Sequence, residues 1–112
     1  MIGSRVLDEL KERLSAAYGA RLHAVVLFGS EARGNARPRS DIDVLAVLET
    51  LAGDYGEELE RGVAAVYPVA LRIGRRVSVK PLVCEEYEQG GSPLLREVRR
   101  SGVACPIRCR AA

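Results

Sequence analysis

Tryptophan is absent from these 112 residues, and histidine and phenylalanine occur once each. The single histidine, His23, lies in an apolar stretch that reads as a strand. The three cysteines, Cys84, Cys105 and Cys109, show no CxxC spacing. A closed zinc site therefore has too few ligands, and reduced, mostly structural thiols are expected. Phe28 and four tyrosines offer little of the stacking platform that single-stranded nucleic acid needs, and a net charge of +2 is too small to argue for nucleic acid by itself. No apolar run approaches the roughly 20 residues that cross a bilayer. The opening segment, MIGSRVLDELKERL, lacks a basic stretch followed by an apolar one, so no signal peptide is expected and the expected compartment is the cytoplasm. Repeats and low-complexity linkers are missing. Aspartate is scarce as well: Asp8, Asp41, Asp43 and Asp54 are all there are.

What is present suits one soluble domain over residues 1–112, with 47% hydrophobic and 29% charged residues. SRVLDELKERLSAAYG reads as a helix, with Ser4 as cap, Leu7, Leu10, Leu14 and Ala17 as its apolar stripe and Gly19 as its end. LHAVVLFG is a continuous apolar run rich in β-branched residues, the pattern of a central strand buried on both faces. DIDVLAVLE is a second strand. Gly53 to Ile73 reads as a helix with Leu59, Val63, Val66 and Ala70 on one side, kinked or ended early by Pro68. RRVSVKPLVC is a third strand whose Pro81 points to an edge or a bulge. Ser92 and Pro93 open a last helix, running to about Ser101 and closed by Gly102. The expected fold class is α+β, a small mixed β-sheet with helices on one face.

Arginine supplies 15 of the 17 basic residues. Arg33, Arg37 and Arg39 crowd the segment before Asp41, and the planar guanidinium fork makes phosphate a candidate ligand there. The C-terminal group of Arg96, Arg99, Arg100, Arg108 and Arg110 reads as a solvated surface. Asp41 and Asp43 stand one residue apart at a strand start, so they point the same way, about 7 Å apart along the backbone. Ile42, Val44 and Ala46 take the opposite face and anchor the strand. Two parallel carboxylates repel unless one is protonated or a cation lies between them, and Mg²⁺ commonly binds through one or two carboxylates plus substrate phosphates. At the other end of the stretch, Gly29 allows a tight turn and Ser30 can open a short helix whose N–H groups attract phosphate.

On these residues the chain resembles the minimal nucleotidyltransferases of the DNA polymerase β-like superfamily. The stretch GSEARGNARPRSDIDVLAVL carries their strand, Gly-Ser, short helix and Ser-Asp-x-Asp pattern. The resemblance implies a polymerase β-like fold in which Gly29 and Ser30 hold the triphosphate of a nucleotide. It further implies that Arg33, Arg39 and Ser40 assist at the nucleotide, and that Asp41 and Asp43 bind Mg²⁺ as the catalytic carboxylates. The implied reaction is attack of a hydroxyl on the α-phosphate of ATP, with release of pyrophosphate. Such small proteins often accompany an all-helical partner of the HEPN type as its antitoxin, and some adenylylate it. The sequence shows no second domain for an antibiotic or a tRNA, so the expected acceptor is a protein. Oligomeric state, a homo-oligomer included, is left open.

One part of the pattern is missing. Two-metal members carry a third carboxylate on a later strand, here RRVSVKPLVC. If Val77 and Val79 face the core, Ser78, Lys80 and Leu82 face the other way, and none is acidic; Glu85 and Glu86 fall in the following turn or helix. The alternative reading is therefore a catalytically weak or inactive module that neutralises a helical partner by contact.

Overall fold

The computed structural model describes residues 4–29, 41–89, 91, 93, 95, 96, 98 and 103–106, the last four by their backbone. Helix α1 (Ser4–Tyr18) leads through a 3₁₀ turn (Gly19–Arg21) to strand β1 (Leu22–Phe28). Strand β2 (Ile42–Leu48), helix α2 (Tyr55–Ile73), strand β3 (Val77–Val83), helix α3 (Cys84–Gln89) and strand β4 (Val103–Pro106) follow. Pro93, Leu95, Arg96 and Val98 are also helical. The sheet order is β3-β2-β1-β4. β1 pairs antiparallel with both β2 and β4, and β2 pairs parallel with β3. A parallel pair needs a long crossover, which α2 supplies. No helix among the described residues is long and apolar enough to cross a membrane.

Alternation along the strands divides the apolar residues between two faces. Leu22, Val25 and Leu27 of β1, Ile42, Val44, Ala46 and Leu48 of β2, and Val77 and Val79 of β3 form the main core with Leu10, Leu14 and Tyr18 of α1 and Val66 and Val69 of α2. The opposite face holds a smaller cluster of Val26, Phe28, Leu45 and Val47 with Leu95 and Val98. β1 is thus buried on both sides, as its unbroken apolar run implied. β3 is an edge strand, where Pro81 removes no ladder bond the sheet requires.

Four expectations need correction. α2 begins at Tyr55, because Asp54 accepts a hydrogen bond from Glu57 N while Glu57 Oε1 accepts one from Asp54 N, a reciprocal capping box. The helix also runs through Pro68 to Ile73 and closes on Gly74 at φ 71°. Pro68 and Ala64 are both exposed, so the carbonyl that loses its N–H partner can turn to water, while buried Val66 and Val69 hold the helix on the core. The inward face of α2 is Glu58, Gly62, Val66 and Val69; of the expected side Val66 is buried and Ala70 packs on the core, while Val63 is exposed. Finally, β4 was not foreseen: a four-residue strand is too short to show alternation, and Gly102 read as the end of a helix. Ser92, Ser101 and Gly102 lie outside the described residues.

Glu58 is fully buried at the end of the sheet away from the β2 start. Its carboxylate accepts hydrogen bonds from Arg21, Arg61 and the backbone N–H of Ala52, the last at 2.7 Å. Arg21 also donates to the carbonyl of Thr50 and lies over the Tyr18 ring, and the Tyr18 hydroxyl donates to the Glu58 carbonyl at 2.6 Å. One charge network thereby ties the exit of α1 to the entrance of α2. The Arg21 hydrogen bond outweighs desolvation and holds the Glu58 pKa down at about 2. Burial, reinforced by the Glu58 charge, pushes Tyr18 up to about 12, so it stays a hydroxyl donor.

Candidate active site

Three strand ends meet where the sequence placed the chemistry. β1 ends at Phe28 beside Asp43 of β2, and Asp43 lies beside Ser78 of β3 on its other flank. Ile42 N donates to Arg76 O at 2.9 Å, which joins the start of β2 to the start of β3. Ile42, Val44 and Ala46 are fully buried in the main core. Alternation therefore sends Asp41 and Asp43 to the other face, above Phe28 and Leu45. The anchoring expected of these three residues holds. The carboxylates stand at the rim of an apolar cluster, where charges interact more strongly than in bulk water.

Gly29 follows β1 with φ 78°, a left-handed conformation that favours glycine. A Cβ at this position would stand 2.5 Å from Asp43 Oδ2. The turn and the carboxylate thus occupy one closely packed spot, and glycine is required twice: for its φ and for the space it leaves. Gly29→Ala is expected to cost about 1–3 kcal/mol of stability from backbone strain, plus displacement of the Asp43 carboxylate. Thermal unfolding measures the first, and calorimetry of MgATP binding the second.

Asp41 is half exposed and lies 4.0 Å from the guanidinium of Arg76. Sequence reading did not single out Arg76. The signal lay in the sheet register: Ile42 pairs with Val77, so Asp41 and Arg76 are the next residues outward on the neighbouring strands. The register also separates the two candidates for the third position. Ser78 is the direct partner of Asp43, whereas Lys80 is the partner of Leu45, one pleat further in. Glu85 and Glu86 start α3, beyond the strand, as expected. Among the described residues no cluster of three metal-ligating side chains occurs. Ser30, Arg33, Arg39 and Ser40 lie outside the described residues. Leu82, expected on the open face, packs against the smaller apolar cluster.

Asp41 and Asp43, with Gly29 packed against one of them, fit a hard cation that arrives with its own phosphate oxygens. They do not by themselves make a complete cage for two.

Residues 4–99 match a family described as "Nucleotidyltransferase domain". The chain is similar to a Methanocaldococcus jannaschii protein named "Putative protein adenylyltransferase", at 38% identity over 48 residues, 43% of this chain and 33% of that relative. It spans about a third of the length of this curated relative. Its fold is similar to that of a spectinomycin adenyltransferase from Enterococcus faecialis solved with ATP and spectinomycin, with a TM-score of 0.62 over 82% of this chain and 38% of that one, at 21% identity. It is also similar to a toxin–antitoxin structure solved with AMP-PNP, with a TM-score of 0.57 over 85% of this chain and 68% of that one, at 18% identity.

Proposed function

The chain belongs to the nucleotidyltransferase domain family, and from that premise we propose that it transfers AMP from ATP, with Mg²⁺, to a hydroxyl on a protein partner, as the antitoxin of a toxin–antitoxin pair. The observation that carries the proposal is the convergence of Gly29, Asp43 and Asp41 at the strand ends. A phosphate-binding turn and a carboxylate pair are separately commonplace; a turn whose missing Cβ makes room for one of those carboxylates is a built site.

In this reading Asp41 and Asp43 would hold Mg²⁺, which would supply charge neutralisation for the triphosphate during an in-line displacement. Gly29 and Ser30 cradle the phosphates, with Arg33, Arg39 and Ser40 contributing donors from the segment before β2. The acceptor oxygen bonds to the α-phosphorus as its proton passes to solvent and the bond to pyrophosphate breaks. The choice of adenylate and of a protein acceptor is supported by the name of the archaeal relative, and that of ATP by the nucleotides in the two solved structures. The partner we propose is a small all-helical protein of the HEPN type, and the toxin–antitoxin neighbour supports a pairing of this kind.

Ser78 favours a second reading. It stands beside Asp43, on the strand where an acid would complete a two-metal site. With a serine there, the domain binds nucleotide but transfers it slowly, and neutralises its partner by contact.

Calorimetry tests the shared foundation. MgATP is expected to bind the unaltered protein and to lose its metal-dependent affinity in the Asp41→Asn, Asp43→Asn double variant. Equal metal-dependent affinity in the two proteins would remove the site. Labelled ATP with a co-expressed HEPN-type partner then separates transfer from contact.

A further inference from the structure

α2 carries a second apolar stripe, which the core does not use. Val63, Tyr67 and Leu71 recur every fourth residue and are 43%, 57% and 64% exposed. Beside them runs a groove of about 380 Å³, lined by this stripe and, past the helix end, by Arg75 and Arg76, with no acidic residue among the described residues of its wall. One turn before Val63, on the same stripe, stands exposed Glu60. The stripe therefore reads acid, three apolar residues, then two arginines. Glu60 and Gly74 are each seven residues from Tyr67, about 10 Å along the axis in opposite directions.

We infer that this stripe is an isologous interface: two copies of the chain pair α2 against α2, antiparallel, with Tyr67 at the two-fold axis. The axis sets Val63 of one copy against Leu71 of its partner, and Glu60 against the Gly74–Arg76 end. Every contact is made twice, and acid meets base at both rims around an apolar centre. This charge order makes a second copy the occupant of the groove, since the two-fold axis sets the acid of one stripe against the basic end of the other. The interface ends at Arg76, which also pairs with Asp41, so dimerisation reaches the edge of the candidate active site. Neither nucleotide nor a foreign partner is needed for the contact.

Sedimentation equilibrium of the full chain tests the inference. A single-helix contact falls below the standard interface size, so self-association is expected with a Kd on the order of micromolar to tens of micromolar. Leu71→Asp should weaken it at least about tenfold, the scale of one central hot-spot residue. Glu60→Arg alone sets arginine against arginine at both rims, and Arg76→Glu alone sets acid against acid, so each variant should be monomeric. Mixed together they should form a heterodimer, because both rims then pair Arg with Glu. Circular dichroism checks that each variant is folded; all three sites are exposed. A wild type that is monomeric at hundreds of micromolar would overturn the inference, as would a dimer indifferent to Leu71→Asp or a mixture that stays monomeric. Association with a different protein alone would overturn it too, by assigning the stripe to that partner.

Discussion

Replacing Glu58 by alanine is expected to destabilise the fold by about 3–5 kcal/mol, the usual cost of removing one partner from a buried charge network. Arg21 would be left facing a void, and the backbone N–H of Ala52 would lose its acceptor. Against a total stability of about 5–15 kcal/mol for a domain, such a loss leaves much of the chain unfolded at moderate temperature. The same network sets an acid limit. Glu58 is held at about 2, below its ordinary value of 4.5, so the folded state releases this proton more readily than the unfolded chain does. Its contribution is complete above the unfolded value and disappears as the pH falls from about 4.5 to about 2. By linkage it amounts to about 3 kcal/mol. Urea unfolding at a series of pH values should show this loss in the unaltered protein and a flatter profile in Glu58→Gln. A control lies on the surface: Arg72 pairs with Glu9 where both are accessible, and Arg72→Ala should cost less than about 1 kcal/mol. Unfolding free energies of Glu58→Ala and Arg72→Ala that agree within error would show that the network stabilises nothing.

Glu58 also marks where sequence reading stopped. Local pattern identified the strands, because β1 is apolar at every buried position and β2 is continuously apolar from Val44 to Leu48 after its two aspartates. Pro81 narrowed β3 to an edge strand or a bulge, since proline in a central strand would leave a neighbour's carbonyl without a donor, and β3 is the edge. The carboxylate pair and the glycine turn were legible for the same reason: they are contiguous in the chain. α2 was harder, because it has two apolar stripes. The expected side of Leu59, Val63, Val66 and Ala70 mixed the two: Val66 is buried and Ala70 packs on the core, whereas Val63 belongs to the exposed stripe. The true face contains an acid and a glycine, which hydrophobic patterning counts against burial. Gly62 is inside because α1 comes close: a Cβ there would meet the Tyr18 hydroxyl at 2.5 Å and Val79 at 2.9 Å. Glu58 is inside because Arg21, 37 residues away in sequence, arrives to neutralise it. Neither neighbour can be read locally. Likewise the choice between Ser78 and Lys80 depended on the β2–β3 register, which long-range pairing sets.

Introducing an acid at Ser78 is expected to raise the transfer rate by about two orders of magnitude, the lower end of the range attributed to one positioned catalytic group. The register places residue 78 directly beside Asp43, so a carboxylate there joins the existing pair. The added charge would help residues 41, 43 and 78 hold a second cation, which would supply further charge stabilisation for the displacement. Lys80→Asp is the matched control. Residue 80 lies two positions along the same face, about 7 Å further in, beside Leu45, and an acid there should leave the rate unchanged. The two variants also differ without any acceptor present. Three carboxylates at one spot repel each other, so Ser78→Asp should lower the melting temperature in chelator and recover it on addition of Mg²⁺. Lys80→Asp should show no such Mg²⁺-dependent recovery. A melting temperature of Ser78→Asp that ignores Mg²⁺ would mean that residue 78 does not look onto the cation site. If Mg²⁺ restores stability but transfer stays slow, the cation is held and the deficiency lies in the acceptor or its position. That outcome would favour neutralisation by contact over adenylyl transfer.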